Sequence, residues 1–135
     1  MKNLILILFI CLLASCSSEQ YKRPDSALET GRDFIRASLN GEFKTAEELL
    51  IKDTSNIQLF ESYKRFYNKM PATEKANYKK ASYEINKLEE VNDSTTLINY
   101  SNSYMKKPMN IKIIKAGDFW GVDFKYVYSD STNQQ

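Results

Sequence analysis

Cys16 is the residue best placed for covalent chemistry. It stands where an unbroken apolar run, Leu4 to Leu13, passes through Ala14-Ser15 into the polar stretch Ser17-Ser18-Glu19-Gln20. A thiol can be alkylated where a serine hydroxyl could not, and small neighbours leave the backbone open to a peptidase. The remaining chemistry is sparse. There is no histidine, which removes the commonest general base and the commonest zinc ligand. Four glycines form no phosphate-cradling loop. Neither Asp118 and Asp123 nor Glu89, Glu90 and Asp93 have the close alternate spacing of a Ca²⁺ loop. No cofactor and no metal ligand set is expected. What remains is aromatic. Phe60, Tyr63, Tyr67, Trp120 and Phe124 read either as core or as the lining of a pocket, because a buried tyrosine brings a hydroxyl that wants a partner. The pocket candidates are Tyr63, Tyr67, Tyr83, Tyr100 and Trp120.

The start of the chain reads as an address. Met1-Lys2-Asn3 precedes the ten-residue apolar run, the layout of an export signal. The run falls short of the roughly 20 residues that span a bilayer. Leu13-Ala14-Ser15-Cys16 resembles the lipobox of bacterial lipoproteins. That resemblance implies removal of residues 1–15, a diacylglyceryl group on the Cys16 thiol and an acyl chain on its new amine. It makes the membrane a partner through lipid, because two or more chains give stable anchoring. Cys11 would leave with the signal and Cys16 would be capped, so the mature chain would have no free thiol and no disulfide. By resemblance to enteric lipoproteins, Ser17 after the cysteine directs the chain to the outer membrane. The wealth of Lys, Asn, Ile and Tyr looks like a Bacteroidetes-type lipoprotein, and there an acidic cluster after the cysteine marks surface export. One acid, Glu19, favours the periplasmic face, with the cell surface as the alternative. Asp25-Ser26-Ala27, Asp93-Ser94-Thr95 and Asp130-Ser131-Thr132 resemble O-glycosylation sites of that group, though Asp-Ser also serves caps and turns.

The elements that position the aromatic residues follow from periodicity. Residues 16–25 are polar, contain Pro24 and read as a tether. Residues 26–127 form one domain and 128–135 a polar tail. With Lys2 removed, basic and acidic residues nearly balance, so nucleic acid is not an expected partner. Ser26 and Glu29 make a capping box. Leu28, Gly31, Phe34/Ile35 and Ser38/Leu39 recur at helical spacing up to Asn40-Gly41. A short helix carries Phe43, Ala46 and Leu49-Leu50. Asp53 caps a third helix with Ile57, Phe60, Tyr63, Phe66/Tyr67 and Met70 in a stripe, ended by Pro71. Thr73 to Lys80 is a fourth helical piece. From Ser82 the period changes to two. Strands are expected from Tyr83 to Val91, from Thr95 to Tyr104, from Met109 through Ile113 with Ala116-Gly117-Asp118 as a turn, and from Trp120 to Tyr126. Helices packed on one face of an antiparallel sheet make an α+β domain.

This order resembles the NTF2-like (cystatin-like) superfamily, and in particular small lipoproteins that carry such a domain. The likeness rests on Asp33 to Ala46 as an opening helix, Asn-Gly-Glu turn and second helix, on the amphipathic helix with Pro71, and on Lys115 to Phe124 as a closing hairpin with Trp120. It implies a curved, cone-like sheet whose mouth holds a small apolar ligand or a protein partner, or a homodimer formed through the sheet. Gly121 after the tryptophan departs from the usual lysine and is expected to leave space beside the indole. Ketosteroid-isomerase-like members use a buried Asp as base and a Tyr to hold an oxyanion. Asp33 or Asp123 with a tyrosine could imitate that, while exposed helix and strand positions account for both acids without chemistry. A non-catalytic binding module is the expectation, with a structural, sheet-dimerised protein and then an isomerase- or dehydratase-like enzyme as alternatives.

Overall fold

Ser26 opens the first helix as its spacing from Glu29 demands. Its Oγ accepts the Glu29 N–H at 3.2 Å, and α1 runs Ala27–Asn40. The computed structural model describes residues 21–127. The expected signal, Cys16 and the tail lie outside them. Three further helices follow, α2 (Phe43–Glu48), α3 (Thr54–Lys69) and α4 (Ala72–Lys80). Gly41 stops α1 at φ 73°, and a β-carbon there would stand 2.9 Å from the Tyr67 hydroxyl. Asp53 caps α3 by accepting the Asn56 N–H at 2.9 Å. Pro71 ends α3, since it biases the residue before it away from the helical region, and then serves as the cap of α4.

The four strands pair antiparallel in chain order: β1 (Tyr83–Asn92), β2 (Thr95–Asn102), β3 (Met109–Ala116) and β4 (Phe119–Asp123). The α+β expectation holds. The core lies between the helices and one face of the sheet. Phe60, Ile35, Leu49, Leu50, Ile98, Ile111, Ile113 and Val122 are fully buried there. The other face carries a ladder of amides, Asn86 to Asn99 at 2.9 Å and Asn99 to Asn110 at 2.6 Å, and the Lys112–Asp123 ion pair at 3.7 Å.

Two strands end sooner than their alternation suggests. β2 stops at Asn102, whose Oδ1 accepts the N–H groups of Tyr104 at 3.1 Å and Met105 at 2.8 Å and so folds the chain into a turn. β4 stops at Asp123 because the Lys125 N–H goes to Asn56 Oδ1 at 2.9 Å instead of to a strand. Residues 125–127 turn helical, so Tyr126 is not a strand residue. Gly121 does not open a gap beside Trp120. A β-carbon at Gly121 would lie 2.6 Å from Ile51 Cδ1, so the glycine lets residues 49–51 close on β4. There Ile51 N–H donates to Val122 O at 3.0 Å and Val122 N–H to Leu49 O at 2.8 Å. The last five residues expected to be tether lie against the domain: the Tyr21 hydroxyl donates to Asp33 Oδ2 at 2.5 Å, and the Arg23 guanidinium sits 4.2 Å from the Phe119 ring centre.

Candidate functional site

A cavity of about 520 Å³ lies between the helices and the open end of the sheet. This falls within the roughly 300–1,000 Å³ of small-molecule sites. Three helices and two strands build it. α1 presents Phe34, Ile35, Ser38 and Leu39, because helical spacing puts these on the sheet-facing side. α3 adds Ser62, Tyr63 and Phe66, with Met70 at its end, and α4 adds Tyr78. From β2 come Tyr100 and Asn102, two residues apart and therefore on one face, which is also the face of the buried Ile98. β3 gives Met109 and Ile111, and Phe124 and Val127 close the wall. No Asp, Glu, Lys or Arg is among the lining residues. At the edge, Phe66 is 64% and Met105 44% exposed, an apolar rim open to solvent.

Four polar side chains in this lining, Ser38, Tyr78, Tyr100 and Asn102, are poorly satisfied among the described residues. Asn102 is 2% exposed; its Oδ1 is used by the turn, but its Nδ2 is buried without a hydrogen-bond partner. The two donated bonds fix which end of the amide is which. Ser38 Oγ is likewise buried without a partner. The Tyr100 hydroxyl has only the Met109 thioether, at 3.9 Å, and the Tyr78 hydroxyl faces the Met105 thioether at 3.0 Å. Sulfur of this kind is a weak acceptor. Burial pushes Tyr100 far above the usual tyrosine range, with the Tyr78 hydroxyl adding to it, and burial likewise raises Tyr78. Both therefore stay protonated and act as donors.

Of the five pocket candidates, the structure brings two together at the cavity, Tyr63 and Tyr100. The other three do not line it. Tyr67 is core: its ring meets Phe43 edge-on at 4.9 Å and covers Gly41. Tyr83 stacks under Arg36, whose guanidinium is 5.2 Å from the ring centre and is held by the Ala81 carbonyl. Trp120 sits on the core face of β4 below Lys115, 5.8 Å from its ring. Ser38, Asn102 and the methionines escape a reading by residue type. A usable signal existed, since Met70, Met105 and Met109, the only methionines after Met1, all line the cavity. Flexible thioethers suit a surface that must adapt to its ligand.

The two acids considered as bases are engaged elsewhere. Asp33 accepts from Tyr21, and Asp123 pairs with Lys112 and, at 3.0 Å, with Lys125. Asp123 is 9% exposed, more buried than an outward strand position suggests. Ser26 spends its hydroxyl on the α1 cap and Ser94 lies exposed in the β1–β2 turn. Among the described residues there is no group of three or more His, Cys, Asp or Glu able to hold a metal, and no helix long and apolar enough to cross a membrane. Comparison with protein-family models, curated proteins and solved structures gives no match.

Proposed function

We propose that this chain is a lipid-anchored protein of the bacterial envelope whose NTF2-like domain is a non-catalytic binding module for a small apolar ligand. The observation that carries the binding reading is the cavity: about 520 Å³, walled by aromatic, aliphatic and thioether side chains, and free of ionisable Asp, Glu, Lys or Arg. Among the described residues such a lining offers a substrate no carboxylate, amine or imidazole as a base, and it favours burial of apolar surface at about 25 cal/mol per Å². The anchor reading rests on Leu13-Ala14-Ser15-Cys16 behind its apolar run, and Ser17 with the single acid Glu19 supports the periplasmic face of the outer membrane, with the cell surface as the alternative. Assembly through the sheet is less favoured, since the face away from the helices carries the Asn86–Asn99–Asn110 ladder.

The test is native mass spectrometry of the full chain, expressed in a bacterium that processes lipoproteins and extracted in mild detergent. Non-covalent mass that leaves on collisional activation supports a ligand cavity; a species of polypeptide plus covalent lipid alone, unchanged by added apolar compounds, removes it. Metabolic labelling with palmitate tests the anchor, and Cys16→Ser must abolish the label.

A further inference from the structure

The cavity is unusual in what its polar atoms lack. Four donors stand in or beside an apolar space, and among the described residues no strong acceptor answers them. Asn102 Nδ2 and Ser38 Oγ are buried and unpaired. Tyr100 and Tyr78 have only thioether sulfur. Unpaired buried polar groups are costly and rare in folded proteins. At 38 a sequence alternative that avoids the cost was open, since Ser38→Ala would suit an apolar wall, whereas the Oδ1 of Asn102 is needed by the turn. The donors come from three elements that line the cavity, Ser38 from α1, Tyr100 and Asn102 from β2, and Tyr78 from α4. Because no cationic side chain is among the described residues that line the space, they offer nothing to neutralise a carboxylate or a phosphate, and burying such a charge unpaired is strongly unfavourable.

We infer that the cavity selects an uncharged apolar molecule bearing a carbonyl oxygen, as in an acyl ester or a ketone, and that Asn102 and Ser38 donate to that oxygen. The inference rests on the proposed reading of the cavity as a ligand site and names the ligand class. The ligand's oxygen supplies the acceptor that the apo protein lacks, and its apolar body fills the space between Phe34, Tyr63, Met109 and Phe124. A free fatty acid is rejected in its ionised form, although its chain would fit as well as that of the ester.

The experiment uses the full chain in detergent and titrates four probes by displacement of an environment-sensitive apolar dye: dodecane, methyl dodecanoate, the cyclic ketone β-ionone, and dodecanoate at a pH where it is ionised. Methyl dodecanoate, β-ionone or both should bind roughly tenfold or more tightly than dodecanoate, as a satisfied buried donor against a desolvated charge requires. Preference for the ester points to a lipid source and preference for the ketone to a cyclic, isoprenoid-like one. At a pH where its carboxyl is ionised, Asn102→Asp keeps the acceptor for the Tyr104 and Met105 N–H groups and removes the Nδ2 donor, so it should weaken the carbonyl probes roughly tenfold and leave dodecane much less affected. If that variant does not fold, Ser38→Ala serves: it should weaken the carbonyl probes while leaving the melting temperature equal or higher, because an unpaired hydroxyl is gone. Binding of all four probes with equal affinity overturns the carbonyl inference and leaves the cavity reading standing. Carbonyl affinity untouched by folded Asn102→Asp or Ser38→Ala overturns it too. Failure of every probe, dodecane included, overturns both.

Discussion

The backbone N–H of Lys125 donates to the side-chain oxygen of Asn56 at 2.9 Å, across 69 residues of sequence. Asn56 is fully buried, and its amide N–H₂ donates to Asp53 Oδ2 at 2.9 Å. One side chain therefore joins the start of α3 to the end of β4. Asn56→Leu leaves the Lys125 N–H buried without its acceptor and should cost about 2 kcal/mol. Urea unfolding should show a lower midpoint with an unchanged slope. A midpoint equal to wild type would mean that the turn after β4 is held by something else.

The same junction gives an acid dependence. The hydrogen bond from Lys125, and then the backbone N–H of Asn56, hold the Asp53 carboxyl below the usual carboxylate range. A depressed value means that the unfolded chain takes up the proton first. The contribution is present above the unfolded value, about 3.9, and is lost as pH falls through the lower folded value. Asp53→Asn keeps a capping oxygen but cannot titrate. Below about pH 4 the wild-type urea midpoint should fall more steeply with pH than that of Asp53→Asn. Parallel slopes would contradict the assignment.

Tyr100 sets the opposite limb. Burial, and to a lesser degree the Tyr78 hydroxyl, raises it well above the ordinary tyrosine value. The folded protein keeps this proton where the unfolded chain gives it up. Stability from this group is complete below about pH 10, the unfolded value, and declines as pH rises beyond it towards the folded one. Tyr100→Phe should flatten the fall in melting temperature above about pH 10, and tyrosinate absorbance in wild type should show a group that ionises only on unfolding. Free titration of all tyrosines in the folded protein would contradict the burial of this ring.

Phe66 is 64% exposed at the rim of the cavity. Phe66→Ser should leave stability within about 0.5 kcal/mol of wild type. It should weaken binding of an apolar dye roughly fivefold, about 1 kcal/mol of lost apolar contact. Equal dye affinity in variant and wild type would show that the ligand does not reach this rim.

How much of this was legible depends on whether the physics was local. Ser26, Gly41, Asp53 and Pro71 each act on backbone groups within a few residues, and helix boundaries read from them agree with the structure. The end of β4 was illegible because alternation through Phe124 and Tyr126 is a local pattern, whereas the acceptor that breaks it sits on α3. Aromatic type foretold burial for Tyr67 and packing against the core for the half-buried Trp120, but not on which side of the core each would lie. Asn102 and Ser38 gave no sign, because what distinguishes them is a missing partner, and a missing partner exists only in three dimensions.

The docking of Tyr21 on Asp33 and of Arg23 on Phe119 also shortens the leash. If Cys16 carries the lipid, at most the five-residue step to Tyr21 separates the acylated thiol from a residue that docks on the domain. Fully extended, that step reaches about 17 Å. The domain then never diffuses away from its own bilayer. Its cavity meets membrane-resident molecules at a high effective concentration set by that leash, so even modest intrinsic affinity keeps it filled.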